Sequence, residues 1–206
     1  MNSANSPTRP TRRRQENRSA ETQARIIDAT IDCLYRSGYG ATSIALIAKT
    51  AEVSTGVIKY HFESKADLMV AVRASVHADE QRLLEEGYRR IGTRAYLQEL
   101  SRHVLAGMRR KGGIAVNEIL LGARSDPVLI SKLRDMESQI ERRSLDLLRE
   151  SYRESGLEVP RDILTLTRVA VAAYRGLAIA EVTLGDEQDI EASADFLVKL
   201  FRHTAQ

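Results

Sequence analysis

The chain has 206 residues, of which 43% are apolar and 29% are charged, and its formal net charge is +3. This length suits one or two domains with a buried core, and the composition excludes a disordered tail and a membrane protein. The longest apolar stretch, residues 163 to 184, contains two arginines and a glutamate that a bilayer would disfavour. The opening residues lack the apolar core of a secretory signal, and the single cysteine, Cys33, fits a reducing cytoplasm. We therefore expect a cytoplasmic protein with no membrane partner.

The positive charge of the chain lies at its N-terminal end. Residues 1–65 contain ten lysines and arginines against six acidic residues, whereas residues 66–206 contain 21 against 22. Such asymmetry indicates contact with nucleic acid or another anionic surface. We expect residues 1–18 to form a basic, flexible arm, with a solvated tail that has no partner as the alternative. The arginines of this arm are Arg9, Arg12, Arg13, Arg14 and Arg18.

Apolar residues recur at helical spacing along the chain, and no window alternates as a strand does. The first helix is expected from Ala24 to Ser37, with Gly38 as its C-terminal cap, and Ser64 begins a capping box that opens a long helix. Gly112-Gly113 and Asp126-Pro127 are expected to separate later helices. We predict an all-α fold of about nine helices, the later ones at residues 93–111, 114–125, 127–155 and 160–184, with a last helix ending near His203.

Residues 43–62, SIALIAKTAEVSTGVIKYHF, combine two short helices with a tight turn. Ile47 and Ala48 lie on an inner face, and Ala48 is small enough for a second helix to approach closely. Ile58 and Phe62 are four residues apart and face inward on that second helix, so the polar residues between them point away from the core. This pattern predicts a helix-turn-helix, in which the second helix is presented to the major groove of DNA. A helical hairpin with a solvated polar face is the alternative.

The segment TSIALIAKTAEVSTGVIKYHF, followed by ESKADLM, resembles the DNA-binding domain of the TetR family of bacterial transcriptional regulators. The resemblance implies a helix-turn-helix domain at residues 19–66 and an effector-binding and dimerisation domain at residues 67–206. Two positions depart from the family pattern. Glu52 replaces a glycine, which costs roughly 1 kcal/mol if the backbone there is left-handed. Lys59 replaces an aromatic residue, and a lysine can still bind a phosphate as a point charge.

The resemblance also implies a set of contacts with double-stranded operator DNA. Thr42 and Ser43 would contact phosphates, and Ser54 would cap the recognition helix. Lys65 would hold a phosphate near the start of the next helix. The arginines of the basic arm would add minor-groove or phosphate contacts. The residues of the recognition helix implied to face base edges or backbone are Thr55, Gly56, Lys59, Tyr60 and His61.

Residues 160–203 are too apolar for two surface helices. Apolar residues run along both helices, and small residues extend a surface that another backbone can approach. We predict a homodimer through this region, with burial inside the monomer as the alternative. The resemblance implies a four-helix dimer interface, which suits a palindromic operator. The apolar positions are Leu166, Ala170, Ala173, Leu177, Ala180, Leu184, Ile190, Ala194, Leu197 and Phe201, and the small ones are Ala172, Gly176 and Ala178.

By the same resemblance, residues 93–155 enclose a pocket for a small-molecule effector of unknown identity. Four polar or polar-tipped side chains in otherwise apolar helices are candidates to orient it: His103, Asn117, Glu118 and Tyr174. Satisfied core or surface groups are the alternative reading of each. The expected function is a sequence-specific repressor, released from its operator when the effector displaces the long helix that starts after Ser64. A ligand-independent or architectural DNA-binding protein is the alternative.

Nothing in the sequence favours catalysis. The four histidines, His61, His77, His103 and His203, include no pair at metal-binding spacing and have no neighbouring cysteine. A phosphate-binding glycine loop and a nucleophile elbow are absent. Cys33 lies near an apolar helix face, where packing is its expected role. We expect no enzyme activity, no metal and no cofactor.

Overall fold

The computed structural model describes residues 12–184 and 190–204, with side chains described for residues 15–184 and 190–200. Every regular element in these ranges is helical, which confirms the predicted all-α fold. Ten α-helices are present, together with a short 3-10 helix at Ala123–Ser125. The α-helices are α1 (Arg12–Ala41), α2 (Ile44–Thr50), α3 (Thr55–His61), α4 (Lys65–Ile91), α5 (Thr93–Gln98), α6 (Leu100–Arg109), α7 (Lys111–Gly122), α8 (Pro127–Glu154), α9 (Ile163–Leu184) and α10 (Ile190–Thr204).

Helix α1 begins at Arg12 and not at Ala24, so residues 12–18, which we expected in a flexible arm, are helical. This stretch has no glycine or proline, and its side chains from residue 15 to 21 are exposed. The helix therefore extends over residues that carry no apolar stripe, and its true start cannot be recognised from the sequence pattern. Gly38 ends the regular helix as predicted, with φ of 72° and ψ of 173°. Arg9 and the side chains of Arg12, Arg13 and Arg14 lie outside the described residues.

The predicted helix at residues 93–111 is two helices, α5 and α6. Glu99 leaves helical geometry between them, with φ of −102° and ψ of 4°. Helix α5 packs against α4 and α8, whereas α6 packs against α7, α9 and α10. Because the two helices pack against different neighbours, the chain bends at Glu99, although no glycine or proline there indicates a helix break.

Gly112 and Gly113 do not separate two helices as predicted, because both lie in the first turn of α7. The residue that ends α6 is Arg110, whose ψ of 158° is extended. A side-chain carbon at Gly113 would lie 2.6 Å from the carbonyl oxygens of Gly107 and Met108. Only glycine lets α7 start so close to the end of α6.

Two apolar cores fill the molecule. The first runs from the N-terminal helices into the later ones, and joins Leu34 of α1 and Ile58 of α3 to Leu68 of α4 and Leu133 of α8. The second is smaller and lies between α6, α9 and α10, around the side chains of Leu105, Tyr174, Ile190 and Ala194. Because the first core is continuous, the α1–α3 unit cannot move against α7 and α8 without disturbing buried contacts.

The second core takes up much of the stripe that the sequence assigned to a dimer. Ala170, Leu177, Ala180 and Leu197 pack against it, beside the buried Ile190 and Ala194. Ala170, Leu177, Ala180 and Leu197 are only partly buried there, so their part in a dimer interface stays a prediction. Ala172 and Gly176 are exposed as predicted, whereas Ala178 is buried, and the side chain of Phe201 lies outside the described residues. The large apolar residues of α9 and α10 that face outward are Leu164, Val169, Ile179, Val182, Leu184, Phe196 and Leu200.

Candidate nucleic-acid interface

Helices α2 and α3 are held together by buried apolar residues. Ile47 and Ala48 of α2 and Ile58 of α3 are at most 4% exposed, and Phe62, directly after α3, is 6% exposed. The amide of Val53 closes the turn by donating to the Ala48 carbonyl at 3.0 Å. This is the predicted helix-turn-helix, with the predicted residues facing inward.

Glu52 lies in the turn with a φ of 54°, and is the one non-glycine residue with positive φ in the described part of the chain. The departure from glycine therefore does place an L side chain in the left-handed region, at a cost of roughly 1 kcal/mol. The turn keeps its shape nonetheless, since the Glu52 amide still donates to the Lys49 carbonyl at 3.3 Å.

Serine hydroxyls begin both helices. The Ser43 Oγ accepts the Leu46 amide at 3.2 Å, and the Ser54 Oγ accepts the Val57 amide at 3.3 Å. Ser54 is thus the N-cap of α3, as predicted. Both serines are exposed, and a hydroxyl that accepts one bond can still donate its own proton to a phosphate oxygen.

The outward face of α3 is polar and open. Thr55, Gly56 and Lys59 are exposed, and Tyr60 is 82% exposed. The Tyr60 ring packs edge-on against the half-buried His61, with 5.2 Å between ring centroids. A tyrosine exposed to this degree contributes little to the monomer core, and its ring and hydroxyl are available to a partner.

Thr42 does not have the predicted position. Its side chain is 1% exposed, and its hydroxyl donates to the Gly38 carbonyl at 2.7 Å. Its amide donates to the Tyr39 carbonyl at 3.3 Å. A buried hydroxyl must find its partner inside the protein, and this one closes the turn between α1 and α2. The predicted phosphate contact of the Thr42 side chain is therefore wrong.

Lys65 is half-buried at the start of α4. Its ammonium donates to the Tyr39 carbonyl at 3.0 Å and lies 4.0 Å from the centroid of the Tyr39 ring. Burial lowers the pKa of Lys65, and the charge of Asp126 opposes that effect. An ammonium has three N–H donors, so contact with a phosphate stays a prediction for this residue.

Tyr39 joins the turn between α1 and α2 to helices α7 and α8. Its amide donates to the Glu118 Oε2 at 2.9 Å, and its hydroxyl donates to the Asp126 Oδ2 at 2.9 Å. Asp126 is also the N-cap of α8. Burial, together with this hydrogen bond, raises the pKa of Tyr39 to about 12. Gly122 makes room for the ring, because a side-chain carbon there would collide with it.

The four predicted effector residues have separate environments. Glu118 is bonded to the Tyr39 amide, so its role in the structure is to link α7 to the helix-turn-helix unit. Asn117 is 6% exposed, and its Nδ2 makes no hydrogen bond within the described residues. The His103 ring stacks on Tyr96 with 4.2 Å between centroids, and burial lowers its pKa. Tyr174 lies in the second core, where burial raises its pKa.

Neither Tyr39 nor Lys49 is among the residues predicted from the sequence. A signal for Tyr39 existed, because a large aromatic side chain between two glycines is unusual in a turn that joins two helices. Lys49 is exposed in the last turn of α2, where it adds a cation beside the turn.

Helix α3 is capped, exposed and held in place by buried apolar residues, and the long helix α4 connects it to a larger bundle. This is the arrangement of a helix-turn-helix transcriptional regulator. Residues 26–72 match the family model described as bacterial regulatory proteins of the tetR family. The chain is 30% identical over 175 residues to the HTH-type transcriptional regulator Mb2936c of Mycobacterium bovis. The aligned region covers 80% of this chain and 88% of that protein. The chain belongs to the TetR family of bacterial transcriptional regulators, as the sequence motif indicated.

Solved structures share the fold. A TetR transcription regulator from Haloarcula marismortui has a TM-score of 0.70 at 18% identity, with 91% of this chain and 100% of that chain covered. FadR from Bacillus subtilis, solved in complex with stearoyl-CoA, has a TM-score of 0.67 at 17% identity, with 89% and 99% covered. At these identities the likeness concerns the fold alone.

Proposed function

We propose that this regulator is a homodimeric repressor that binds a two-fold symmetric operator through α3 and leaves it when a small-molecule effector binds the later helices. The observation that carries the proposal is the outward polar face of α3, which the buried Ile58 and Phe62 hold in place. Thr55 and Gly56, at the N-terminal end of α3, would meet base edges, and Lys59 and Tyr60 would contact bases or backbone.

Phosphate contacts would come from the flanks of α3. The exposed hydroxyls of Ser43 and Ser54 point from the starts of α2 and α3. His61 and Lys65 follow at the other end, where a lysine or a protonated histidine can donate to a phosphate oxygen. These contacts position the protein, whereas the contacts of α3 with base edges select the sequence.

The outward apolar face of α9 and α10 supports a second copy of the chain as the partner. Val182 is 69% exposed and Phe196 is 64% exposed. Apolar residues of both helices line a shallow groove that includes Ala173 and Phe196. By length and composition alone α9 would also pass as a membrane span. The charged Arg168 and Arg175 within it, and its packing against α6, α8 and α10, favour a protein partner over lipid.

Two connections support coupling between an effector and α3. Helix α4 starts at its Ser64 cap, directly after α3, and its 27 residues extend about 40 Å into the larger bundle. Tyr39 is the second connection, through Glu118 of α7 and Asp126 at the start of α8. A ligand that shifts these helices would change the distance between the two α3 helices of a dimer. FadR, which shares the fold, was solved with stearoyl-CoA.

Selection of bound duplexes from a random DNA library tests the proposal. The full chain should enrich a two-fold symmetric sequence with two equal half-sites, because each protomer presents one α3. A variant with Thr55→Val and Lys59→Ala together should enrich nothing at the same protein concentration. If the folded wild-type dimer retained duplexes without any common sequence, the protein would be an architectural binder and the proposal would fall.

A further inference from the structure

Tyr60 lies on the side of α3 that points directly away from the protein. At 3.6 residues per turn, it is rotated by roughly 160° from both Ile58 and Phe62, which are buried and hold the helix in place. Lys59 is rotated by only about 60–100° from them, so it lies on a flank of the helix. With α3 in the major groove, Tyr60 therefore points to the base edges on the floor of the groove, and Lys59 points to a phosphate wall.

A row of rings orients the Tyr60 side chain. Its ring packs edge-on against His61, with 5.2 Å between centroids, and the centroid of the His61 ring lies 6.3 Å from that of the buried Phe62. The Tyr60 side chain is nevertheless 82% exposed. The apolar surface of this ring is thus oriented in advance and left uncovered in the monomer, which favours its use in binding.

Gly56 leaves open space one helical turn before Tyr60, on the same side of α3. Apart from adjoining residues and the helix backbone, a side-chain carbon at Gly56 would have only the Ser54 Oγ within 4 Å, at 3.6 Å, among the described residues. The monomer has room for a larger residue here, and most other residues favour a helix more than glycine does. What the glycine provides is a close approach of a base edge to the α3 backbone, beside the Tyr60 ring.

The remaining side chains of α3 limit how bases can be read. The segment Thr55–His61, TGVIKYH, contains no arginine, asparagine, glutamine or acidic residue. These side chains, with lysine, form the specific hydrogen bonds to guanine, adenine and cytosine, and Lys59 lies on the flank. The apolar group that base pairs present in the major groove is the C5-methyl of thymine. An aromatic ring on the outward side of α3 has its matching partner in that methyl group.

We propose that Tyr60 is a specificity-determining residue of this regulator, and that its ring covers the C5-methyl of one thymine in each half-site of the operator. The contact selects thymine by removing from water a methyl group that adenine, guanine and cytosine lack. This inference rests on the proposed function, for which it names the feature of the bases that α3 reads.

The test uses the operator selected from the random library, with each thymidine of the half-sites replaced in turn by deoxyuridine. This change removes the methyl group and keeps every hydrogen-bonding group of the base pair. At one thymine position, it should weaken binding of the full chain about fourfold in one half-site and about fifteenfold in both, as for one methyl group buried by each protomer. Deoxyuridine outside the half-sites is the control and should leave the affinity unchanged. Fluorescence anisotropy measures each affinity.

Substitutions of Tyr60 identify the protein side of the contact. Tyr60→Ala should bind the thymine and uracil operators equally, because the ring that covers the methyl group is gone. Tyr60→Phe keeps the ring and should retain the methyl effect. Tyr35→Ala, which removes another exposed tyrosine from α1, is the matched control and should also retain it. Because Tyr60 is mostly exposed, both of its variants should keep a thermal midpoint close to that of the wild type.

Four results would overturn the inference. They are a selected operator without thymine in its half-sites, unchanged affinity of every deoxyuridine operator, a methyl effect that persists in Tyr60→Ala, and a folded Tyr60→Phe protein that loses the methyl effect. Each of them leaves the proposed function standing, since the selected operator is still bound. If no sequence is selected from the library, the proposed function fails and this inference fails with it.

Discussion

Glu52 is the residue whose backbone conformation conflicts with its type. Its φ of 54° is disfavoured for an L side chain. Glu52→Gly should raise the free energy of unfolding by about 0.5–1 kcal/mol, measured by urea denaturation. The matched control is Glu150→Gly, an exposed position inside α8, where glycine should instead destabilise by about 1 kcal/mol. Equal destabilisation by both substitutions would show that the turn does not adopt the left-handed conformation in solution.

Tyr39 is the residue that links the DNA-reading unit to the later helices. Tyr39→Phe removes the 2.9 Å hydrogen bond to Asp126 and should lower the free energy of unfolding by about 1 kcal/mol. The control is Tyr35→Phe, on the same helix but 46% exposed, which should change stability little. Urea denaturation at neutral pH measures both. Equal effects of the two substitutions would contradict the linking role.

The pKa of Tyr39 adds a pH signature to this prediction. Its folded-state pKa is raised from 10.0 to about 12, so folding favours the neutral phenol. The stability that this contributes is fully present below pH 10 and is lost as the pH rises from 10 towards 12. The stability difference between the wild type and Tyr39→Phe should therefore shrink between these two pH values. A constant difference would mean that the phenol ionises as freely in the folded chain as in the unfolded one.

At the scale of elements, α3 is the helix that we expect to lie in the major groove. Lys59→Ala should weaken binding to all duplexes and reduce the slope of log affinity against log salt by about one unit, as for one lost phosphate contact. The control is Arg134→Ala, which removes an exposed cation from α8. Fluorescence anisotropy over a salt series gives both slopes. An unchanged slope for Lys59→Ala would remove this residue from the interface.

The short elements around α3 could be predicted because local chemistry determines them. Ser54 and Ser64 cap their helices in the structure, and Ile58 and Phe62 are buried, as their spacing indicated. The predicted helix break at Gly113 was wrong because this glycine allows two helices to approach closely. Sequence spacing does not distinguish a glycine of that kind from one that ends a helix.

Roles that depend on distant partners could not be predicted from the sequence. Thr42 and Glu118 are engaged with the turn around Gly38 and Tyr39, and Glu118 reaches it from 79 residues along the chain. In the sequence, a polar residue on an apolar helix looks the same whether its side chain binds a ligand or a buried amide. For the same reason the role of Arg73 can be recognised only when α4 and α8 are placed together, since its guanidinium is bonded to Glu137.

At the scale of the whole molecule, the apolar face of α9 and α10 should hold two copies together. Phe196→Asp places a charge at a 64% exposed position and should shift the protein to monomers that bind a full operator weakly, because two half-sites must be engaged together. The control is Val128→Asp, at a 57% exposed position on α8, which should remain dimeric. Sedimentation velocity measures both. A dimeric, folded Phe196→Asp protein would place the interface on another surface.

The most direct test of a dimer that reads DNA through two α3 helices is the dependence of affinity on half-site spacing. Two recognition helices on one face of the duplex must meet grooves about one helical turn apart, roughly 34–36 Å. Inserting about 5 base pairs, half a helical turn, between the selected half-sites moves one of them to the opposite face. Affinity in an anisotropy titration should then fall to that of a single half-site, and full affinity of the lengthened operator would contradict the account.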